Sequence, residues 1–269
     1  MDFIATGVGE RMPEFVRSAD ATEIAYDRVG AGPAVIVIGG AFNTRLSPYP
    51  LVTLLAERFT VVSFDRRGRG ASGDSEPYAV EREIDDLAAL VAAAGGSAMA
   101  YGHSSGAILA LEASAAGLPI TRLAVYEPPY TFDPENPHDA GDHGLQAALN
   151  RGDREGAARI FLRIVGLDEA SIDRAASTPF WPGMVEIAHT LPYDLALTAD
   201  GRPPVDRLST ITVPTLVMDG GRSPDWAARA CAGVVSAVPN ATSHTVEGQD
   251  HGIDQAVLAP ILIEFFSAG

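Results

Sequence analysis

Residues 34–38, Ala34-Val35-Ile36-Val37-Ile38, are a nearly unbroken β-branched run that ends in Gly39-Gly40. The run has no polar face, so both of its sides must be buried, as in a central parallel strand. The pattern recurs along the chain. Thr60-Val61-Val62-Ser63-Phe64 ends at Asp65, Ala98-Met99-Ala100-Tyr101 at Gly102, Leu123-Ala124-Val125-Tyr126 at Glu127, and Thr215-Leu216-Val217-Met218 at Asp219. Residues 242–246 are a last strand candidate. Residues 14–18 and 23–29 are two more, joined by the polar turn Ala19-Asp20-Ala21-Thr22.

Helical stretches lie between these runs, at 50–58, 81–94, 105–116 and 253–266. The second opens with acids that suit a helix N-terminus and stops at Gly95-Gly96. Two antiparallel-looking strands followed by strand–helix alternation predict an α/β fold: a mostly parallel eight-stranded sheet with helices on both faces. Between about 128 and 208 the alternation stops. A loop rich in Pro, Asp, His and Gly precedes helical segments at 145–150, 153–165, 168–176 and 181–191. The expectation is a helical cap at 129–208, inserted into a core formed by 1–128 and 209–269.

Charge narrows the chemistry. Thirty-five acidic residues against 19 basic ones leave −16, and all 19 are Arg, because the chain contains no Lys. Schiff-base, pyridoxal-phosphate and P-loop lysine chemistry is therefore excluded. The acidic balance opposes binding to nucleic acid or to anionic membranes. The Lys-free, Ala- and Arg-rich usage points to a GC-rich bacterial genome. Cys231 is the only cysteine and lies in an Ala-rich apolar stretch, where a buried inert thiol is expected. The N-terminus lacks a basic start with an apolar run, and no stretch approaches eighteen apolar residues. A cytoplasmic protein acting on a small molecule is expected, without cofactor or metal; oligomeric state is not legible.

Gly102-His103-Ser104-Ser105-Gly106 fits Gly-x-Ser-x-Gly between an apolar strand and an Ala/Leu helix. A nucleophile on so sharp a turn needs small flanking residues. Ser104 would stand at the N-terminus of the next helix, whose free N–H groups suit a developing oxyanion. The side chain of His103 should point away from that of Ser104. A serine hydroxyl needs a base. His251, in Gly248-Gln249-Asp250-His251-Gly252, follows the last strand and so lies at the same sheet edge. The other histidines fit less well: His138 and His143 sit in the insertion loop with Asp139 and Asp142, His189 in a predicted helix, and His244 in mid-strand.

These landmarks resemble the serine-dependent α/β-hydrolase family over nearly the whole chain. They include Gly39-Gly40, the segment Phe64-Asp65-Arg66-Arg67-Gly68-Arg69-Gly70-Ala71-Ser72, the elbow at Ser104, Val213-Pro214-Thr215-Leu216-Val217, and the His251 loop, in the family's order. The resemblance implies a catalytic triad and an oxyanion hole from the N–H groups of Ser105 and Ala41. The His that often precedes this Gly in the family, and braces the loop, is replaced by Gly39. The Asp65-to-Ser72 segment is implied to be a structural turn with no catalytic role. For the triad acid the resemblance offers two places. After the strand ending at Met218 the usual position carries Ser223, with Asp225 two residues late. After the strand that follows the nucleophile helix stands Glu127. Glu127 is the favoured acid and Asp225 the alternative. Gly40, Phe42, His103, Trp181 and Met184 are candidate pocket residues. The expected activity is hydrolysis of an ester, lactone or related acyl bond. The same fold also hosts lyases, carbon–carbon bond hydrolases, cyclases and perhydrolases, and a non-catalytic small-ligand receptor is a further reading.

Overall fold

The computed structural model describes residues 12–130, 143–198 and 201–268. Its centre is one eight-stranded sheet. The strands are β1 (Glu14–Arg17), β2 (Glu23–Val29), β3 (Ala34–Ile38), β4 (Thr60–Phe64), β5 (Ala98–His103), β6 (Ile120–Tyr126), β7 (Thr215–Gly220) and β8 (Ala241–Val246). Their spatial order is β1-β2-β4-β3-β5-β6-β7-β8. Pairing is antiparallel from β1 to β2 and from β2 to β4, and parallel everywhere else.

The β-branched runs behave as their composition requires. On β3, Ile36 and Ile38 join one hydrophobic cluster, while Val35 and Val37 join another on the opposite face. Helices α2 (Val80–Ala93), α3 (Ser105–Ala115) and α10 (Asp225–Ala237) supply the first cluster; α1 (Tyr49–Leu55) and α11 (Gln255–Ser267) supply the second. Burial of each such side chain contributes about 1.5–3 kcal/mol, which makes slippage of these strands costly.

The order β4-β3-β5 contains a reversal. From β3 the chain moves outward to β4, then crosses back to β5 on the other side of β3. Loops at the carboxyl ends of β3 and β5 therefore diverge and leave a crevice, the usual place for a ligand in open α/β sheets. The Gly39-Gly40-Ala41 turn and Ser104 occupy those two ends.

Between β6 and β7 lie α4 (Leu145–Asn150), α5 (Arg154–Ile164), α6 (Glu169–Ala176), α7 (Trp181–Glu186), α8 (Leu191–Thr198) and α9 (Val205–Leu208). Most of them share a hydrophobic cluster of their own, with Ala41 and Phe42 of the β3 turn packed against it. Tyr130, Leu197 and Leu208 instead join the cluster on the sheet.

Several expectations need correction. The single helix expected at 181–191 is interrupted: α7 ends at Glu186, a 3₁₀ turn spans Ala188–Thr190, and α8 then begins. Pro192 explains the break. It has no N–H to bond the carbonyl of Ala188, and its ring would collide with that carbonyl in a continuous helix. As the second residue of a new helix it is tolerated. His189, expected in a helix, lies in the 3₁₀ turn. Helices α9 and α10 were not anticipated; α10 buries Ala227, Ala230, Cys231 and Val234, a helical spacing masked by small side chains. Strand β5 runs past Tyr101 to His103, because Gly102 and His103 still pair with Val125 and Tyr126. No helix among the described residues is long and apolar enough to cross a membrane.

Candidate active site

Ser104 sits between β5 and α3 with φ 56° and ψ −126°. Few non-glycine residues adopt this backbone, and it costs on the order of 1–3 kcal/mol. The flanking glycines make the turn possible. A Cβ on Gly102 would lie 2.4 Å from the carbonyl of Gly106, and one on Gly106 would lie 2.4 Å from that of Ile38. Gly40 faces Ser104 directly: its Cβ would stand 2.8 Å from Ser104 Cβ and 3.4 Å from Ser104 Oγ. Ser105 opens α3, and its N–H has no protein acceptor among the described residues; the same holds for the N–H of Ala41.

His251 follows β8 and is held from three sides. The Nε2–H of His103 donates to the carbonyl of His251 at 2.8 Å. The hydroxyl of Tyr126 donates to the carbonyl of Asp250 at 2.7 Å, and Arg222 N–H to that of Gln249 at 2.8 Å. The His103 ring stacks on Tyr126 and lies 4.9 Å from the His251 ring. A carbonyl can only accept, so His103 carries its proton on Nε2. Burial, with repulsion from His251, pushes the pKa of His103 down to about 4. It is a neutral brace for the loop.

Glu127 is fully buried with φ 46° at the end of β6. Its Oε2 accepts from His251 Nδ1 at 2.6 Å. Its Oε1 accepts from the N–H of Gly220 at 2.8 Å and from the hydroxyl of Ser223 at 2.5 Å. Burial opposes its ionisation, but hydrogen bonds from His251, Ser223 and Gly220 outweigh it and hold the carboxyl below its ordinary range. With Nδ1 donating to Glu127, the Nε2 of His251 keeps a free lone pair.

The remaining sequence candidates are scattered. Asp225 is exposed at the start of α10, and His251 is bonded to Glu127 instead. Asp219 accepts from Thr245. Phe42 meets Phe161 edge-on at 5.4 Å. Trp181 is 7% exposed and belongs to the core of the insertion, with Arg159 over its ring, and Met184 packs at the edge of that cluster. His244 lies on β8, as expected. His138, Asp139 and Asp142 fall outside the described residues. Ser104 Oγ makes no hydrogen bond to His251 among the described residues. A cavity of about 210 Å³ reaches His103, His251, Gly39 and Asn43, with Leu51 and Leu258 on its apolar wall.

One cluster escaped the sequence reading. Asp194 on α8 is buried and accepts from three groups: Ser105 Oγ at 2.6 Å, Arg66 Nη1 at 2.7 Å and Arg69 Nη2 at 2.7 Å. Arg66 also grips buried Glu83 through two bonds of 2.6 Å. Burial works against the Asp194 carboxylate, but Arg69 and Arg66 hold it below the ordinary range. The available signal was three arginines in the four positions 66–69 of an acidic chain, each needing a partner.

Fold and site together define an α/β protein with a strained serine elbow beside a carboxylate–imidazole pair. A model of the alpha/beta hydrolase family matches residues 23–258, and the chain belongs to that family. It is 48% identical to an alpha/beta hydrolase from Sphaerobacter thermophilus DSM 20745, whose crystal structure superposes with a TM-score of 0.90 over 94% of this chain and 100% of that one. It is 28% identical to the 2-(acetamidomethylene)succinate hydrolase of Mesorhizobium japonicum over 84% of each chain. The enol-lactonase from Burkholderia xenovorans LB400 is 17% identical and superposes with a TM-score of 0.73 over 95% of this chain and 100% of that one, a likeness of fold alone.

Proposed function

We propose that this protein is a metal-free serine hydrolase that cleaves an ester, lactone or related acyl bond in a small molecule. The 2.6 Å pairing of His251 Nδ1 with buried Glu127, beside the strained Ser104, carries the reading. That pairing sets the imidazole tautomer and stabilises the imidazolium that forms on proton transfer. In this scheme Ser104 Oγ bonds to the substrate carbonyl carbon while its proton passes to His251 Nε2. The carbonyl oxygen takes the negative charge and faces the N–H groups of Ala41 and Ser105. On collapse, His251 returns the proton to the leaving oxygen, and the acyl group stays on Ser104. Water, activated by His251, then releases the acid and restores the serine. The Ser104–His251 contact that the scheme needs has to form when substrate is bound, as is common for catalytic hydrogen bonds.

The helices between β6 and β7 are proposed to act as the cap over this crevice, at 129–208. Phe42 and Met184, at the edge of their cluster, would give the substrate apolar contact. Fluorophosphonate labelling read by intact mass tests the proposal. One label per chain on Ser104, with both label and p-nitrophenyl ester turnover abolished in Ser104→Ala, is expected. A wild-type protein that takes no label, or a variant that keeps full turnover, rejects it.

A further inference from the structure

Both proposed oxyanion donors belong to residues tied to one buried carboxylate. Ser105 is tied directly, through its hydroxyl to Asp194 Oδ1 at 2.6 Å. The Ala41 side is tied through Arg69. Arg69 Nη2 donates to Asp194 Oδ2 at 2.7 Å, and Arg69 Nη1 donates to the carbonyl of Gly40 at 2.7 Å and of Asn43 at 3.3 Å. Its Nε donates to Thr190 Oγ1 at 3.1 Å. The guanidinium is 1% exposed, and its planar fork is held on all three nitrogens.

The Gly40 carbonyl and the Ala41 N–H share one peptide plane and point in opposite directions across it. Whatever holds the carbonyl therefore aims the N–H. A buried guanidinium on that oxygen also polarises the peptide and makes the N–H a stronger donor. This is the bracing that the missing His of the β3 turn leaves unsupplied.

We propose that Arg69 and Asp194 are positioning residues for the oxyanion hole, with Asp194, brought in by α8 of the insertion, setting Ser105 on one side and, through Arg69, the Gly40–Ala41 peptide on the other. The inference rests on the serine-hydrolase reading above. Its consequence is that both donors are set only while α8 is seated on the sheet, so the insertion governs transition-state stabilisation as well as access.

The test is the rate of Ser104 phosphonylation by a fluorophosphonate, in which the serine oxygen bonds to phosphorus, fluoride leaves, and the hydroxyl proton goes to His251. The reaction needs no knowledge of the natural substrate and builds negative charge on the phosphoryl oxygen. Arg69→Lys and Asp194→Asn are expected to lower kinact about 10- to 100-fold, approaching the loss of a donor. KI should stay within about threefold, because ground-state binding is untouched. Ser105→Ala keeps its N–H, loses the hydroxyl's bonds to Asp194 and Arg66, and should still fold; its kinact is expected to drop about three- to tenfold. A trifluoromethyl ketone, which forms a tetrahedral oxyanion on Ser104, should weaken in step with kinact across the three variants. A merely structural role would lower thermal stability and the labelled fraction while leaving the rate of that fraction at the wild-type value, and this result overturns the proposal. If Asp194→Asn does not fold, Arg69→Lys and Ser105→Ala decide. Wild type labelled on Ser104 with variants that react as fast removes the tether alone; no label on wild type removes the hydrolase reading and the tether with it.

Discussion

His251 Nδ1 lies 2.6 Å from Glu127 Oε2, although 124 positions separate them in the chain. The two meet because β6 and the loop after β8 end at the same edge of the sheet, and Glu127 reaches across β7, where its other oxygen binds Gly220 and Ser223. Ser223 stands where the family resemblance implies an acid, and here its hydroxyl donates to Glu127, the acid of the proposed mechanism.

This relationship separates the two candidate acids. Glu127→Gln should lower kcat by about 10³- to 10⁴-fold, since an amide no longer holds the required tautomer. Asp225→Asn, at an exposed helix start, should leave kcat within about twofold. Steady-state kinetics on one ester compares them, and a crippled Asp225→Asn beside an active Glu127→Gln would falsify the assignment.

Gly40 should be intolerant for a steric reason. A methyl group there meets Ser104 Cβ at 2.8 Å and the His103 carbonyl at 3.0 Å, so Gly40→Ala should displace the elbow. A shift of this kind costs about 10- to 100-fold in kcat. Gly183 in α7 is the control, because a methyl group added there would meet nothing within 4 Å. Gly183→Ala should keep activity and gain roughly 0.5–1 kcal/mol from helix propensity. Equal losses in both variants would rule out the steric account.

The His103 brace predicts a pH dependence of stability. Its pKa in the fold, about 4, is below its ordinary 6.5, so the unfolded chain takes up the proton first as pH falls. Its contribution is complete above about 6.5 and is lost as pH drops from there to about 4. NMR titration should give His103 a midpoint near 4, and His103→Gln should flatten the decline of Tm over this window. A His103 midpoint near 6.5 would contradict the burial argument.

The Arg66–Glu83 pair should matter more than any surface ion pair. Both side chains are 2% exposed, so Glu83→Gln leaves a buried guanidinium short of one counter-charge. The expected loss is about 3–5 kcal/mol, read as a lower denaturant midpoint. The exposed Arg163–Glu169 pair, broken by Glu169→Gln, should shift the midpoint far less, because solvent screens it. Similar effects at the two positions would show that burial does not govern them.

The sheet was legible because its strands are local statements. Ala34–Ile38 and Thr60–Phe64 match the expected bounds, since a β-branched run without a polar face has a single favourable home. The elbow was legible because Gly102 and Gly106 flank a serine between a strand and a helix. Helix bounds failed where local pattern was weak: small alanines hid the stripe of α10, and Pro192 divided what looked like one segment.

Periodicity and turn chemistry act over a few residues, and they were enough to specify the layers of this protein and the chain positions that end at one edge of the sheet. Which acid meets His251, and which charges are neutralised inside, depended on the assembled fold. Hydrogen bonds and ion pairs act over about 3 Å, and the arrangement that brings Asp194 to Arg69, 125 positions away, exists only after the sheet, the turn and α8 have packed together.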